Sequence, residues 1–158
     1  MPSKLGLIIL AVAGSLAAQT VPSSEGETLS GLKIRFPDFL AGKQAICVFS
    51  FSREAGESTR AWMDRLWKAG VDAYSIANIE AAPRLVRGMI RRGMKSGMPA
   101  DYHPRSLVLT RDEKAWKAAL QVTDDKSPVI VRFDASGKIT ERYSGPFDAR
   151  ALERFTRR

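Results

Sequence analysis

Cys47 and His103 are the side chains in this sequence best suited to thiol or metal chemistry, and each is the only residue of its type. A single cysteine forms no disulfide within the chain and supplies no cysteine-clustered zinc or iron–sulfur site. His103 has only scattered carboxylates such as Asp101 near it, which is not the ligand spacing of a metal site. The sequence also lacks the Gly-x-Ser-x-Gly nucleophile elbow and the glycine-rich nucleotide-binding patterns. It therefore predicts no metal and no cofactor.

Cys47 lies in the nearly continuous apolar run Gln44–Phe51, which is rich in β-branched and aromatic residues. Such a run is typical of a central strand covered on both faces. Ala45 and Phe49 point to the same face of that strand as Cys47. A free cysteine in this setting behaves as a small buried hydrophobe, and burial raises its pKa. We interpret Cys47 as an inert core residue, with a reactive thiol or an intermolecular disulfide as the alternative.

The segment after this strand precedes a predicted helix, and a helix N-terminus is where a thiolate is stabilised. The segment contains no thiol and reads Arg53, Glu54, Ala55, Gly56, Glu57. Its two carboxylates suit a helix N-terminus electrostatically. We therefore expect a loop without disulfide or peroxidatic chemistry and no catalytic residue. The sequence favours a binding protein, with a thiol oxidoreductase or peroxidase that uses Cys47 as the alternative.

Residues 1–19 have the three-part plan of a secretory signal peptide. Lys4 precedes an apolar stretch that is shorter than the ~20 residues needed to cross a bilayer as a helix. Small residues then allow cleavage after Ala17 or Gln19. We expect an exported protein, periplasmic or secreted, with an uncleaved N-terminal anchor as the alternative.

One domain is expected in the rest of the 158 residues, 44% of which are hydrophobic. Residues 20–30 are polar and aperiodic, which predicts a flexible lead-in before a domain over residues 31–158. A capping box is expected at Thr110 and Glu113. Hydrophobic periodicity predicts strands at 32–36, 44–51, 71–79, 106–109, 128–134 and 138–144, and helices at 59–69, 82–98, from 110 to about 120, and 149–156. This order gives an α/β fold with a mixed sheet flanked by helices.

A βαβ unit followed by a hairpin and a closing helix is the thioredoxin-like arrangement. The segment PVIVRFDASGKITERYSGPFDARALERF, residues 128–155, resembles the C-terminal half of thioredoxin-like domains. The resemblance implies a central mixed β-sheet flanked by helices, with a C-terminal β-hairpin and helix. It also implies that Pro128 is a cis-proline beside the site where relatives carry their redox centre.

A more specific resemblance is to the thioredoxin-like assembly factor of the mitochondrial ATP synthase and its bacterial relatives. It lies in the segments AICVFSFSREAGESTRAWMDRL, YSIANIE and RLVRGMIRRGMKSGMPADYH, and in the closing hairpin. The resemblance implies a redox-inactive protein that helps to assemble a membrane complex by protein–protein contact. With the export signal, the complex expected here belongs to the cell envelope.

The predicted helix at 82–98 carries a concentration of positive charge in a chain of formal net charge +8. No anion interrupts its cations, which are Arg84, Arg87, Arg91, Arg92 and Lys95. Placing Leu85, Met89 and Ile90 toward the core would direct a stripe of cations outward. Like charges at helical spacing repel by a few tenths of a kcal/mol per pair, so stability alone does not favour this stripe.

Three interpretations of the basic helix remain open. It is a solvated face of a basic protein, a docking surface for an acidic partner protein or anionic lipid, or a nucleic-acid contact. Nucleic acid is disfavoured because no stacking aromatic residues lie between the cations. We take the five cations and His103 as candidate partner-binding residues.

Overall fold

The computed structural model describes residues 21–157, so the expected signal peptide lies outside the described residues. The strands are β1 Ser24–Thr28, β2 Lys33–Phe36, β3 Ala45–Ser50, β4 Ala73–Asn78, β5 Ser106–Leu109, β6 Val129–Phe133 and β7 Ile139–Ser144. The α-helices are α1 Arg53–Lys68, α2 Arg84–Ser96, α3 Glu113–Ala119 and α4 Ala149–Thr156. Short 3-10 helices occupy Asp38–Leu40 and Ala100–Arg105. Every helix within residues 21–157 is too short or too polar to cross a bilayer.

The strands form one sheet in the order β2-β1-β5-β4-β3-β6-β7. The three central strands β5, β4 and β3 are parallel, and the remaining neighbours pair antiparallel. All six residues of β3 are buried, as its apolar run predicts for a strand covered on both faces. A mixed sheet flanked by helices, with a C-terminal hairpin and helix, is confirmed.

Two apolar layers lie on opposite faces of the sheet, because alternate residues of a strand point to opposite sides. Cys47 and Phe49 face the layer that includes Trp116 of α3. Ile46 and Val48 face the layer covered by α1 and α4. The final helix begins as predicted, because the Asp148 carboxylate accepts a hydrogen bond from the Ala151 amide.

The expected flexible lead-in at residues 20–30 is wrong, because β1 lies within it. β1 pairs with β2 on one side and with β5 on the other. Its sequence Ser-Glu-Gly-Glu-Thr has no apolar alternation, so the strand is held by backbone pairing to both neighbours. The Ser24 hydroxyl adds a 2.6 Å hydrogen bond to the Asp112 carboxylate.

The capping box expected at Thr110 is also wrong. Asp112 is the N-cap of α3 and has a left-handed backbone, with φ of 61°. Glu113 reaches the neighbouring loop instead, where its carboxylate accepts a hydrogen bond from the Ala81 amide. The Glu113 amide in turn donates to the Glu80 carboxylate at 2.7 Å. Tertiary contacts therefore replace the local cap.

Candidate functional site

The N-terminus of α1 lies directly after the central strand β3. Ser52 caps it, since its Oγ accepts a hydrogen bond from the Ala55 amide at 3.1 Å. The same hydroxyl donates to the Asp125 carbonyl at 2.6 Å. The helix therefore starts at Arg53, and the loop expected over residues 53–57 is instead the first turn of α1. The local sequence signal for this earlier start is Ser52 itself, because serine is a preferred N-cap residue whose hydroxyl accepts a hydrogen bond from an amide of the first turn.

The side chains of this first turn carry charge but no soft nucleophile. Arg53 and Glu57 form an exposed ion pair at 3.9 Å. Glu54 is exposed in the first turn, Gly56 has no side chain, and Ala55 is fully buried. The Ser52 hydroxyl is already engaged as donor and acceptor. The N-terminus of α1 can therefore contact a partner through its charged side chains, but it offers no thiol for covalent chemistry.

Pro128 lies buried beside this helix end, immediately before β6. The register pairs Val129 with Phe49, and the Pro128 carbonyl accepts a hydrogen bond from the Gly145 amide. The expected cis bond is wrong: within residues 21–157 the cis peptide is Phe36–Pro37, and Ser127–Pro128 is trans. Trans is the lower-energy isomer for most X–Pro bonds.

Cys47 lies within the core and away from the helix end. Its side chain is 0% exposed, and its strand partners are Tyr74 and Val131. Burial raises the pKa of the Cys47 thiol well above its usual range, and the Asp72 carboxylate raises the pKa further. Ser52 lies five positions after Cys47, which is ~16 Å along an extended backbone. The thiol therefore cannot act at the N-terminus of α1.

Two arginines of the basic helix α2 form contacts with neighbouring elements. Arg91 forms a 2.9 Å ion pair with Glu27 on β1. Arg87 donates to the carbonyls of Ala82 and Glu80 at 2.9 and 2.7 Å. The Arg91 contact joins the helix to β1, and the Arg87 contacts join its first turn to the loop that precedes it.

The orientation of α2 contradicts the expected inward placement of Leu85 and Met89. Leu85 is 97% exposed and Met89 is 62% exposed, and no residue of α2 is buried. Val86, Ile90 and Met94 are half-buried instead. The physical reason is that Val86, Ile90 and Met94 form the inner side of the helix, with the contacts of Arg87 and Arg91 on its flank, which leaves Leu85 and Met89 on the opposite side.

The candidate binding cations consequently divide into two groups. Arg87 and Arg91 hold the helix, whereas Arg84, Arg92 and Lys95 are exposed and form no ion pair within residues 21–157. Nη1 of Arg92 lies 3.9 Å from the position that a Cβ on Gly88 would take. The Arg92 guanidinium therefore lies back along the outer face of the helix.

His103 closes the other end of α2 and does not point outward with the cations. Its Nε2 lies 3.1 Å from the carbonyl oxygens of both Lys95 and Met98. A nitrogen between two acceptors carries the proton and donates to them. His103 therefore positions the C-terminus of α2.

Solved structures share this architecture at low sequence identity. The exposed lipoprotein thioredoxin from Streptococcus pneumoniae strain TIGR4 is 17% identical, with a TM-score of 0.60, over 85% of this chain and 98% of that chain. A thio-disulfide isomerase from Thermus thermophilus is 19% identical, with a TM-score of 0.55, over 87% and 92%. BsSco, a member of the Sco family of cytochrome c oxidase assembly proteins, is 11% identical, with a TM-score of 0.60, over 89% and 95%.

The fold is thioredoxin-like. No protein-family model matches the sequence, and no curated protein matches it. At these identities the likeness to solved structures concerns the fold. Thioredoxin-fold enzymes usually carry their reactive thiolate at the N-terminus of the helix after the central strand, which in this chain is the position of Ser52 and the first turn of α1.

Other features of this thioredoxin-like chain add no second chemical centre to the described part. Between residues 21 and 157, no three histidine, cysteine or carboxylate side chains are grouped closely enough to hold a metal ion. An open cleft of about 1070 Å³ lies along the β6–β7 hairpin, lined in part by Val21, Leu40, Lys138 and Arg142. Neither the N-terminus of α1 nor any residue of α2 lines this cleft.

The core position of Cys47 predicts its reactivity. We expect no reaction of the native thioredoxin-like protein with Ellman's reagent at pH 8, and one thiol per chain after denaturation in guanidinium. Because the folded thiol has the higher pKa, rising pH favours the unfolded chain, whose thiol ionises first. The measurement is the absorbance of released thionitrobenzoate over time. A native reaction as fast as that of the denatured chain would place the thiol at the surface.

Proposed function

We propose that this chain is a redox-inactive thioredoxin-like protein that acts by binding and not by thiol exchange. One observation carries the proposal: the only thiol of the sequence is 0% exposed inside β3, while a hydrogen-bonded serine caps the helix where relatives react. Thiol exchange begins with attack by an accessible thiolate. A buried thiol of raised pKa is a poor attacking group.

The role proposed for this binding protein is assembly of a complex in the cell envelope. The resemblance to the ATP synthase assembly factor supports it, as does the architecture shared with BsSco, whose family is described as cytochrome c oxidase assembly proteins. The signal-like residues 1–19 support an exported protein, periplasmic or secreted. The partner is an unidentified protein or membrane complex that presents an acidic surface or anionic lipid, matched to the formal net charge of +8.

The test is turnover in two thiol assays, insulin reduction with dithiothreitol and peroxide consumption. We expect wild-type protein to give rates equal to the reagent background, with a dithiol thioredoxin as the positive control. Cys47→Ser and Cys47→Ala should give the same background. Turnover that is present in the wild type and lost in both variants would overturn the proposal.

A second candidate function is thiol oxidoreductase activity, with an antioxidant enzyme of the peroxiredoxin kind as its nearest variant. It is favoured by the structural neighbours, several of which are described as thiol-disulfide or thiol:disulfide proteins. Such an enzyme would need Cys47 to leave the core during each cycle. The same two assays decide between the candidates, because only the enzyme gives Cys47-dependent turnover.

A further inference from the structure

We propose that the outer face of α2 docks on an anionic lipid bilayer, a proposal that rests on the binding function above and names its surface. The outer face is defined by Arg84, Leu85, Met89, Arg92 and Lys95. All five side chains are exposed, and they lie on a helix without a single acidic residue. Interfacial helices combine apolar side chains with lysine and arginine in this way.

The apolar part of this face protrudes from the protein. Leu85 is 97% exposed and Met89 is 62% exposed, one helical turn apart. Exposed large apolar residues that form a group mark an interaction surface. Arg87 bonds to the carbonyls of Glu80 and Ala82, and Arg91 forms an ion pair with Glu27. The helix therefore cannot rotate Leu85 and Met89 inward without losing those contacts.

The charged part of the face lies beside the apolar part. Arg84 adjoins Leu85, and the Arg92 guanidinium lies over Gly88, between Leu85 and Met89 along the helix. Lys95 continues the positive charge toward the C-terminus. None of the three cations has an ion-pair partner within residues 21–157, so all three can meet phosphate or carboxylate headgroups. Each cation near an anionic leaflet raises binding about fivefold.

The shape of the surface favours a bilayer over a folded acidic protein. A stable protein interface buries about 800 Å² on each partner. The outer face of a 13-residue helix measures about 20 Å by 10 Å, which falls well short of that area. The open cleft along the β6–β7 hairpin and a smaller one at residues 117–125 both lie away from α2. A convex helix with two protruding side chains can still insert shallowly among lipid headgroups.

The experiment is co-sedimentation of the protein with vesicles of phosphatidylcholine containing 30% phosphatidylglycerol. We expect binding at 50 mM salt, release at about 0.5 M salt as the Debye length shortens, and no binding to pure phosphatidylcholine. The triple variant Arg84→Glu, Arg92→Glu, Lys95→Glu should bind at least 100-fold more weakly. Leu85→Ala should bind about tenfold more weakly at the same charge, because it removes the inserted side chain.

The matched control is the triple variant Lys114→Glu, Lys126→Glu, Lys138→Glu, which has the same net charge and changes exposed lysines elsewhere. It should retain most of the vesicle binding, and circular dichroism should show both triple variants folded. Equal loss in the two triple variants, or no binding to acidic vesicles at 50 mM salt, would overturn the proposal. Soluble polyglutamate that binds the protein as tightly as the vesicles do, with the same loss in Leu85→Ala, would assign the face to an acidic protein segment and also overturn it. Cys47-dependent turnover of insulin would overturn the proposed function while leaving the vesicle result intact.

Discussion

Trp116→Ala is expected to lower the free energy of unfolding by about 4 kcal/mol and Tm by roughly 15 °C. Trp116 is 0% exposed, and its ring centroid lies 5.3 Å from those of Phe36 and Phe49. Its indole N–H donates to the Ser24 hydroxyl at 2.9 Å. One side chain of α3 therefore contacts β1, β2 and β3, and its removal leaves a large cavity among them. Urea unfolding followed by circular dichroism measures the loss.

Ser24→Ala separates the hydrogen bonds of the Ser24 hydroxyl, to the Trp116 indole and to Asp112, from the packing of the Trp116 ring. It leaves the aromatic cluster in place but removes the acceptor of the buried indole N–H, which costs about 1–2 kcal/mol. Trp116→Phe should fall between the two variants, because it keeps one ring and loses the donor. A loss in Trp116→Ala no larger than that in Ser24→Ala would show that the ring contacts contribute little.

The central elements could be predicted because their burial is uniform along the strand or periodic along the helix. The apolar run around Cys47 corresponds to β3, and the helix predicted at 59–69 lies within α1, which buries Trp62 and Leu66. These predictions hold because tertiary structure and local pattern agree there.

The orientation of α2 could not be predicted, because its decisive contacts are long-range. Periodicity alone assigns Leu85 and Met89 to the core. The ion pair of Arg91 with Glu27 joins residues far apart in sequence, and Glu27 lies in a segment that shows no strand pattern. An arginine that serves as an inner contact looks like a surface residue in the sequence. The observed orientation bears on function, because it leaves Leu85 and Met89 exposed on the face proposed to dock on lipid.

At the N-terminus of α1, the absence of a thiol could be predicted from the sequence, but the start of the helix and its contacts could not. The absence of cysteine between Arg53 and Glu57 is visible in the sequence. The earlier start of α1 depends on the Ser52 hydroxyl, which also bonds to Asp125 in the distant loop before β6. This contact joins the helix end to the neighbourhood of Pro128. The serine hydroxyl is thus engaged in hydrogen bonds that join the N-terminus of α1 to the loop before β6.

Gly26→Val is expected to lower the free energy of unfolding by about 3 kcal/mol, because β1 has no room for a side chain at this point. A Cβ on Gly26 would lie 2.6 Å from Cδ2 of Leu109 and 3.1 Å from the backbone oxygen of Val108. The leucine can shift, but the β5 backbone cannot shift without losing its pairing. This close approach explains why β1 has a glycine opposite Leu109.

The matched control for this prediction is Glu25→Val, which places the same side chain on β1 at an exposed position. Its ion pair with Arg35 spans 3.6 Å between exposed groups, so its loss should change stability by less than about 1 kcal/mol. Because β1 carries Glu27, displacement of the strand in Gly26→Val should also release Arg91 and speed amide hydrogen exchange in α2. Hydrogen exchange by mass spectrometry measures this coupling. Faster exchange confined to β1, with α2 unchanged, would show that the Glu27–Arg91 contact does not hold the helix.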